Sequence, residues 1–168
     1  ELINYYIVDV KKNDTYVFFN FFTLLEFIFL SFFFRSQFKN NIAQIFIKYL
    51  WLIFSIYFFL DVFISKTLFN SFASRPATVE SLLILILSLY YLFEQINNTD
   101  TIFIYSKKTF WVVVSLIIYI SGTFFLFIFA QKMLNDPIFL NQYTLMNSIL
   151  YITRNILISI GLVIKETN

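Results

Sequence analysis

Five long apolar runs separated by short charged segments constrain this chain more than any other feature. Tyr16–Phe34, Ile45–Ile64, Thr78–Ile96, Phe110–Ala130 and Tyr143–Ile164 each approach the roughly 20 residues a helix needs to cross a bilayer core. A chain of 168 residues has too little other surface to wrap five such runs in water. The bilayer therefore has to act as the solvent. Backbone groups in lipid must be satisfied inside the protein, by helices or by a closed barrel. A barrel needs strands of alternating apolar and polar residues, and these runs do not alternate. The expectation is an all-α integral membrane bundle of about five transmembrane helices, forming a single domain over residues 1–168.

The composition narrows the chemistry. Charged residues make up 13% of the chain, against about 25% in an ordinary soluble domain, which fits a surface that mostly faces lipid. Cysteine and histidine are absent. Their absence excludes disulfides, thiolate metal sites and nucleophile–base pairs built on either residue. Gly122 and Gly161 are the two glycines, so no glycine-rich phosphate loop can be assembled. No G-x-S-x-G elbow occurs either. Neither enzyme activity nor a cofactor is expected. The net charge of +2 comes without a basic patch bearing interleaved aromatics, so nucleic acid is not an expected partner. The opening residues, Glu1-Leu2-Ile3-Asn4-Tyr5-Tyr6, read as the exit of an earlier helix and suggest a piece of a longer protein rather than a signal peptide.

The charged segments alternate between two membrane surfaces. Arg35, Lys39, Lys48, Lys107, Lys108 and Lys165 fall on one, side A; Lys11, Lys12, Lys66, Arg75 and Lys132 fall on the other, side B. Basic residues favour the cytoplasm. Side A is therefore expected to be cytoplasmic, with the C-terminus inside a bacterial inner membrane. Trp51 and Trp111, with Tyr90, Tyr91 and Tyr105 nearby, mark side A as an aromatic belt, and Tyr16 and Tyr143 mark side B. Pro76 suits the first turn of the third helix and Pro137 that of the fifth, with Asp136 as its N-cap. Thr109 is the expected cap of the fourth.

Ionisable groups at bilayer depth cost on the order of 2.5–3.5 kcal/mol each on insertion scales, so they need a reason to be there. Glu26 lies near the middle of the first run and Arg154 near the middle of the fifth, at a similar depth. They are expected to pair, with the guanidinium able to take the carboxylate through two hydrogen bonds. Such a pair can pin two helices in register, respond to a ligand or signal, or relay protons. The fifth run is the most polar. Thr144, Asn147, Ser148, Tyr151, Arg154, Asn155 and Ser159 recur at three- and four-residue spacing along one face. That face is expected to meet the bundle interior, a water-filled cavity or another subunit. It serves either interhelical hydrogen bonding or a ligand.

Matching stripes occur on the other helices. They are Asn20, Thr23 and Ser31 on the first, with Glu26 at the margin, and Tyr57, Asp61 and Ser65 on the second. Ser81, Ser88, Tyr91 and Gln95 form the third, and Ser115, Tyr119 and Gly122 the fourth. Asp61 and Glu80 both fall near side B. They read as solvated interface carboxylates or, more sharply, as a small acidic pocket open to that side.

Asn20-Phe21-Phe22-Thr23-Leu24-Leu25-Glu26-Phe27, the third run from Glu80 to Glu94, and Phe110-Trp111 through Tyr119-Ile120-Ser121-Gly122 resemble the multi-pass membrane modules of Bacteroidota, some of which precede histidine kinase domains. The resemblance covers nearly the whole chain. It implies additional helices ahead of the first span, a sensory input role and a cytoplasmic C-terminus. It carries over no functional residues.

The leading expectation is a membrane-embedded sensory or signalling module in which a ligand or membrane state shifts helix packing. A pore or transport subunit is the second reading, although no run shows the Gly/Pro interruptions of discontinuous transport helices. A structural subunit of a membrane complex is the third. The lipid bilayer is the expected partner, with other membrane subunits or a homo-oligomer alongside it.

Overall fold

The computed structural model describes residues 2–66, 73–97, 104–133 and 137–164, with side chains described over 16–66, 73–97, 104–128 and 138–164. Five α-helices carry the described chain: α1 (Leu2–Gln37), α2 (Asn41–Ser65), α3 (Ser74–Ile96), α4 (Lys108–Met133) and α5 (Pro137–Val163). A 3-10 turn at Ile104–Ser106 precedes α4. Each helix contains a stretch long and apolar enough to cross a membrane. The molecule is an all-helical, multi-pass membrane bundle.

Local chemistry explains the helix ends. The side chain of Asn40 caps α2, its Oδ1 accepting the Ile42 N–H at 2.9 Å, which satisfies one of the orphan amides every helix start leaves open. At the other end of α2, Lys66 adopts a left-handed conformation, φ 51°, the usual way a helix stops. Pro76 stands in the first turn of α3, where no intrahelical amide bond is lost. The proline at the start of α5 is its first helical residue. Asp136, expected as the α5 cap, lies outside the described residues. Thr109 does not cap α4. It sits within the first turn and donates its hydroxyl to Gln37 Oε1 at 3.1 Å. The opening residues, expected as the exit of an earlier helix, are from Leu2 onward continuous with the first span in α1.

In lipid, helices gain little by hiding apolar surface from one another, so close packing and hydrogen bonds hold them together. Aromatic rings do most of the filling. Phe27 and Phe54 meet at the α1–α2 seam with centroids 4.2 Å apart, and Phe34, Phe58, Ile47 and Val113 are fully buried beside them. Helix α3 sits centrally, packing on α1, α4 and α2, whereas α5 packs along α4. Tyr91 was expected in the side-A belt. It is instead a core residue, 2% exposed, with its ring 6.3 Å from Phe38. Tyr90 and Trp51 do lie toward that surface: Tyr90 accepts the Asn40 side-chain N–H at 3.4 Å, and Trp51 faces Phe32.

The side-A end is tied by polar contacts between helices. Glu94 on α3 accepts the Lys39 N–H at 3.2 Å and the Asn40 N–H at 3.0 Å, closing the turn between α1 and α2. Lys107 Nζ donates to Gln95 Oε1 at 2.8 Å, and Trp111 Nε1 donates to the Tyr105 carbonyl at 2.8 Å. Toward side B, Asn20 is fully buried and its Oδ1 accepts the Ala73 N–H at 2.8 Å, fastening the start of α3 to α1.

Candidate functional site

Between α1, α3, α4 and α5, in the half of the bundle nearer side B, lies a cavity of about 150 Å³. Each helix presents polar groups to it. Helix α1 contributes Thr23 and Glu26, α3 contributes Glu80 and Ser81, α4 contributes Tyr119 and Thr123, and α5 contributes Tyr143, Asn147 and Tyr151. The polar stripes on α1, α3 and α4 follow helical periodicity and converge because these helices pack on one another. Asn20, Ser31, Ser81, Ser88, Gln95 and Ser115 are all buried, as the stripes require. Phe22, Ile84 and Phe127 add apolar walls.

Glu26 and Arg154 are brought together. Arg154 Nη1 lies 3.7 Å from Glu26 Oε1, an ion-pair distance beyond a good hydrogen bond. The two-pronged geometry expected of an arginine–carboxylate pair is not formed. The guanidinium instead spreads its charge over two rings, with its carbon 4.7 Å from the Tyr119 centroid and 4.6 Å from that of Tyr151. The rings themselves meet edge to face at 5.4 Å. Cation–π attraction strengthens when water is excluded, so the two tyrosines share with Glu26 the task of holding the cation at depth. Arg154 Nε remains buried without a hydrogen-bond partner.

Glu80 and Asp61 do not form one acidic pocket. Asp61 pairs with Arg75, Oδ1 to Nη1 at 3.9 Å, and is not part of the cavity wall. Glu80 is no solvated interface group: it is 6% exposed and faces the cavity with Glu26. The reason lies in the helix start. Helix α3 begins at Ser74, and a rise of about 1.5 Å per residue carries Glu80 roughly 9 Å further into the bundle. Its Oε1 is buried without a hydrogen-bond partner among the described residues. Glu26 is answered by Arg154, so Glu80 leaves the cavity with a carboxylate that no described cation matches.

The polar face of α5 divides. Asn147 and Tyr151 reach the cavity and Arg154 stacks beside it. Asn155 is turned outward with Ser159, lining a shallow groove with Ile152, Ile156 and Val163. The hydroxyls of Thr144, Ser148 and Ser159 donate to carbonyls of their own helix at 2.9, 2.8 and 2.8 Å. Tyr119, Thr123 and Tyr143 were not singled out as site residues from the sequence. Tyr119 carried a signal, since it shares a stripe with Ser115 and Gly122. Tyr143 read as an interface anchor, and Thr123 is indistinguishable in sequence from any isolated membrane threonine.

Comparison with protein-family models, with curated proteins and with solved structures finds no match to this chain.

Proposed function

We propose that this chain is a sensory module of a bacterial inner membrane, in which occupancy of the intramembrane cavity repositions α5 and hence the C-terminal end of the bundle, on the cytoplasmic side. The observation that carries this reading is the placement of α5. It supplies Tyr143, Asn147 and Tyr151 to the cavity wall yet packs along a single neighbour, α4, with Arg154 as its reach toward α1. A helix that senses the cavity contents and is held on one side is free to settle in more than one position. A ligand then selects among those positions in proportion to its differential affinity for them.

The chain contains no cysteine, so pairs of spin labels can be introduced without background. Labels at Ile42→Cys on α2 and Leu162→Cys on α5, both at exposed positions, report the distance between the fixed and the adjustable parts. In lipid nanodiscs, Glu26→Gln, which removes the anchor of Arg154, is expected to shift or split that distance by a few ångström, the scale of helix shifts in switching proteins. An identical, single distance in both proteins overturns the sensory reading.

A second reading has its own support. Asn155 and Ser159 face outward at membrane depth, and an exposed amide in lipid gains a hydrogen bond when it meets another helix. A structural subunit, or a homo-oligomer joined through α5, would use that face. The mass of the protein in nanodiscs separates the two.

A further inference from the structure

We infer that the cavity is a binding site for a small primary organic ammonium ion, with the Glu80 carboxylate as its counter-ion. The inference deepens the sensory reading and uses the same cavity. Its chemical basis is independent of whether α5 moves.

Glu80 is buried, lines the cavity and has Oε1 without a hydrogen-bond donor. A carboxylate withdrawn from water without a partner is strongly disfavoured, and a bound cation removes that penalty. An ionised Glu80 asks for a single positive charge. Glu26 and Arg154 answer one another at 3.7 Å, and the Arg154 charge is further engaged by the rings of Tyr119 and Tyr151. Glu80, when ionised, is the carboxylate left without a matching cation among the described residues.

The walls distinguish an organic cation from a bare metal ion. No group of three or more acidic residues that could hold a metal ion occurs among the described residues. Hard metal ions prefer six or more oxygen ligands. The cavity instead pairs one free carboxylate with an apolar wall of Phe22, Ile84 and Phe127. Its volume of about 150 Å³ equals that of an engineered protein cavity that admits benzene. A primary ammonium supplies N–H donors, one to Glu80 Oε1 and others to Asn147 and the tyrosine hydroxyls that share the wall. A short hydrocarbon tail then fills the apolar remainder.

The test is calorimetric titration of the full chain in lipid nanodiscs, with empty nanodiscs subtracted, using n-butylammonium chloride as probe. Butyramide is the neutral control, and sodium chloride at equal ionic strength is the inorganic one. Saturable binding of n-butylammonium, at least tenfold tighter than butyramide, is expected, together with a loss of at least tenfold in Glu80→Gln and little change in Asp61→Asn. No saturable binding, or equal binding of butyramide, overturns the inference. Displacement of the probe by sodium at similar concentration overturns the organic class. If Glu80→Gln fails to fold, the comparison of ammonium with amide on the unaltered protein still decides. The spin-label distance recorded with the probe present separates the two proposals. Binding without movement removes the sensory role and keeps the site. Movement in the Glu26 variant without ammonium binding does the reverse.

Discussion

Helices α3 and α5 carry similar amounts of polar chemistry and treat it in opposite ways. In α3, 44% of the most apolar window is buried, and the polar stripe Ser81, Ser88, Tyr91 and Gln95 lies wholly inside. In α5 the corresponding share is 6%. Asn147, Tyr151 and Arg154 reach or flank the cavity; Thr144, Ser148, Asn155 and Ser159 face outward, and the three hydroxyls among them bond back to carbonyls of their own helix. A hydroxyl that donates to the carbonyl four residues earlier is already satisfied. Serine and threonine thus make a membrane helix look more polar in sequence than it is to its surroundings. A polar stripe alone does not tell which side of a helix faces inward. The charged groups, which cannot satisfy themselves locally, here Glu80 and Arg154, are better guides.

The largest effect that would break this comparison belongs to the anchor of α5. Arg154→Leu leaves the Glu26 carboxylate without its cation. Orphaning one member of a buried pair typically costs about 3–5 kcal/mol, so a strong loss of folded protein in membranes is expected. Adding Glu26→Leu should restore part of it. A double variant no more stable than the single would show that the pair does not couple the helices.

A smaller contrast compares the two stripes directly. Ser88 is fully buried in α3, and Ser88→Leu overfills the core at an expected cost of about 1–3 kcal/mol. Ser159 is outward-facing in α5, and Ser159→Leu is expected to stay within about 0.5 kcal/mol, as surface changes do. Unfolding titrations in mixed micelles measure both. Equal losses would mean that the outer face of α5 is covered by another chain.

The smallest effect sharpens the α4–α5 seam. A β-carbon at Gly161 would stand 2.8 Å from Trp111 Cβ and 3.3 Å from the Lys108 carbonyl, atoms close to or on the backbone that can move only with α4. At Gly122 it would meet the terminal methyls of Leu150 at 2.6 Å, which can rotate away. Gly161→Ala is expected to destabilise by about 1 kcal/mol, with Gly122→Ala near neutral. The reverse order would indicate that α4 and α5 pack less closely at the side-A end.

Much of this was legible in the sequence. The five runs located the helices because length and hydropathy answer directly to bilayer thickness, and the first-turn placement of Pro76 and Pro137 followed from proline chemistry. The Glu26–Arg154 pairing was legible because charges at membrane depth have few places to go. Two things were not. The depth of Glu80 depended on where α3 begins, and a shift of one helical turn moves a group from water to core. The outward turn of Asn155 depended on how α5 rotates against α4, which hydropathy does not encode.

The clasp formed by Glu94 has a consequence for biosynthesis. It completes the turn between α1 and α2 from 54 and 55 residues downstream. As the chain leaves the ribosome N-terminus first, that hairpin enters the membrane with the Lys39 and Asn40 amides still awaiting their acceptor. Its final shape is set only when the third span has been threaded, so the first two helices are matured by the arrival of a later one.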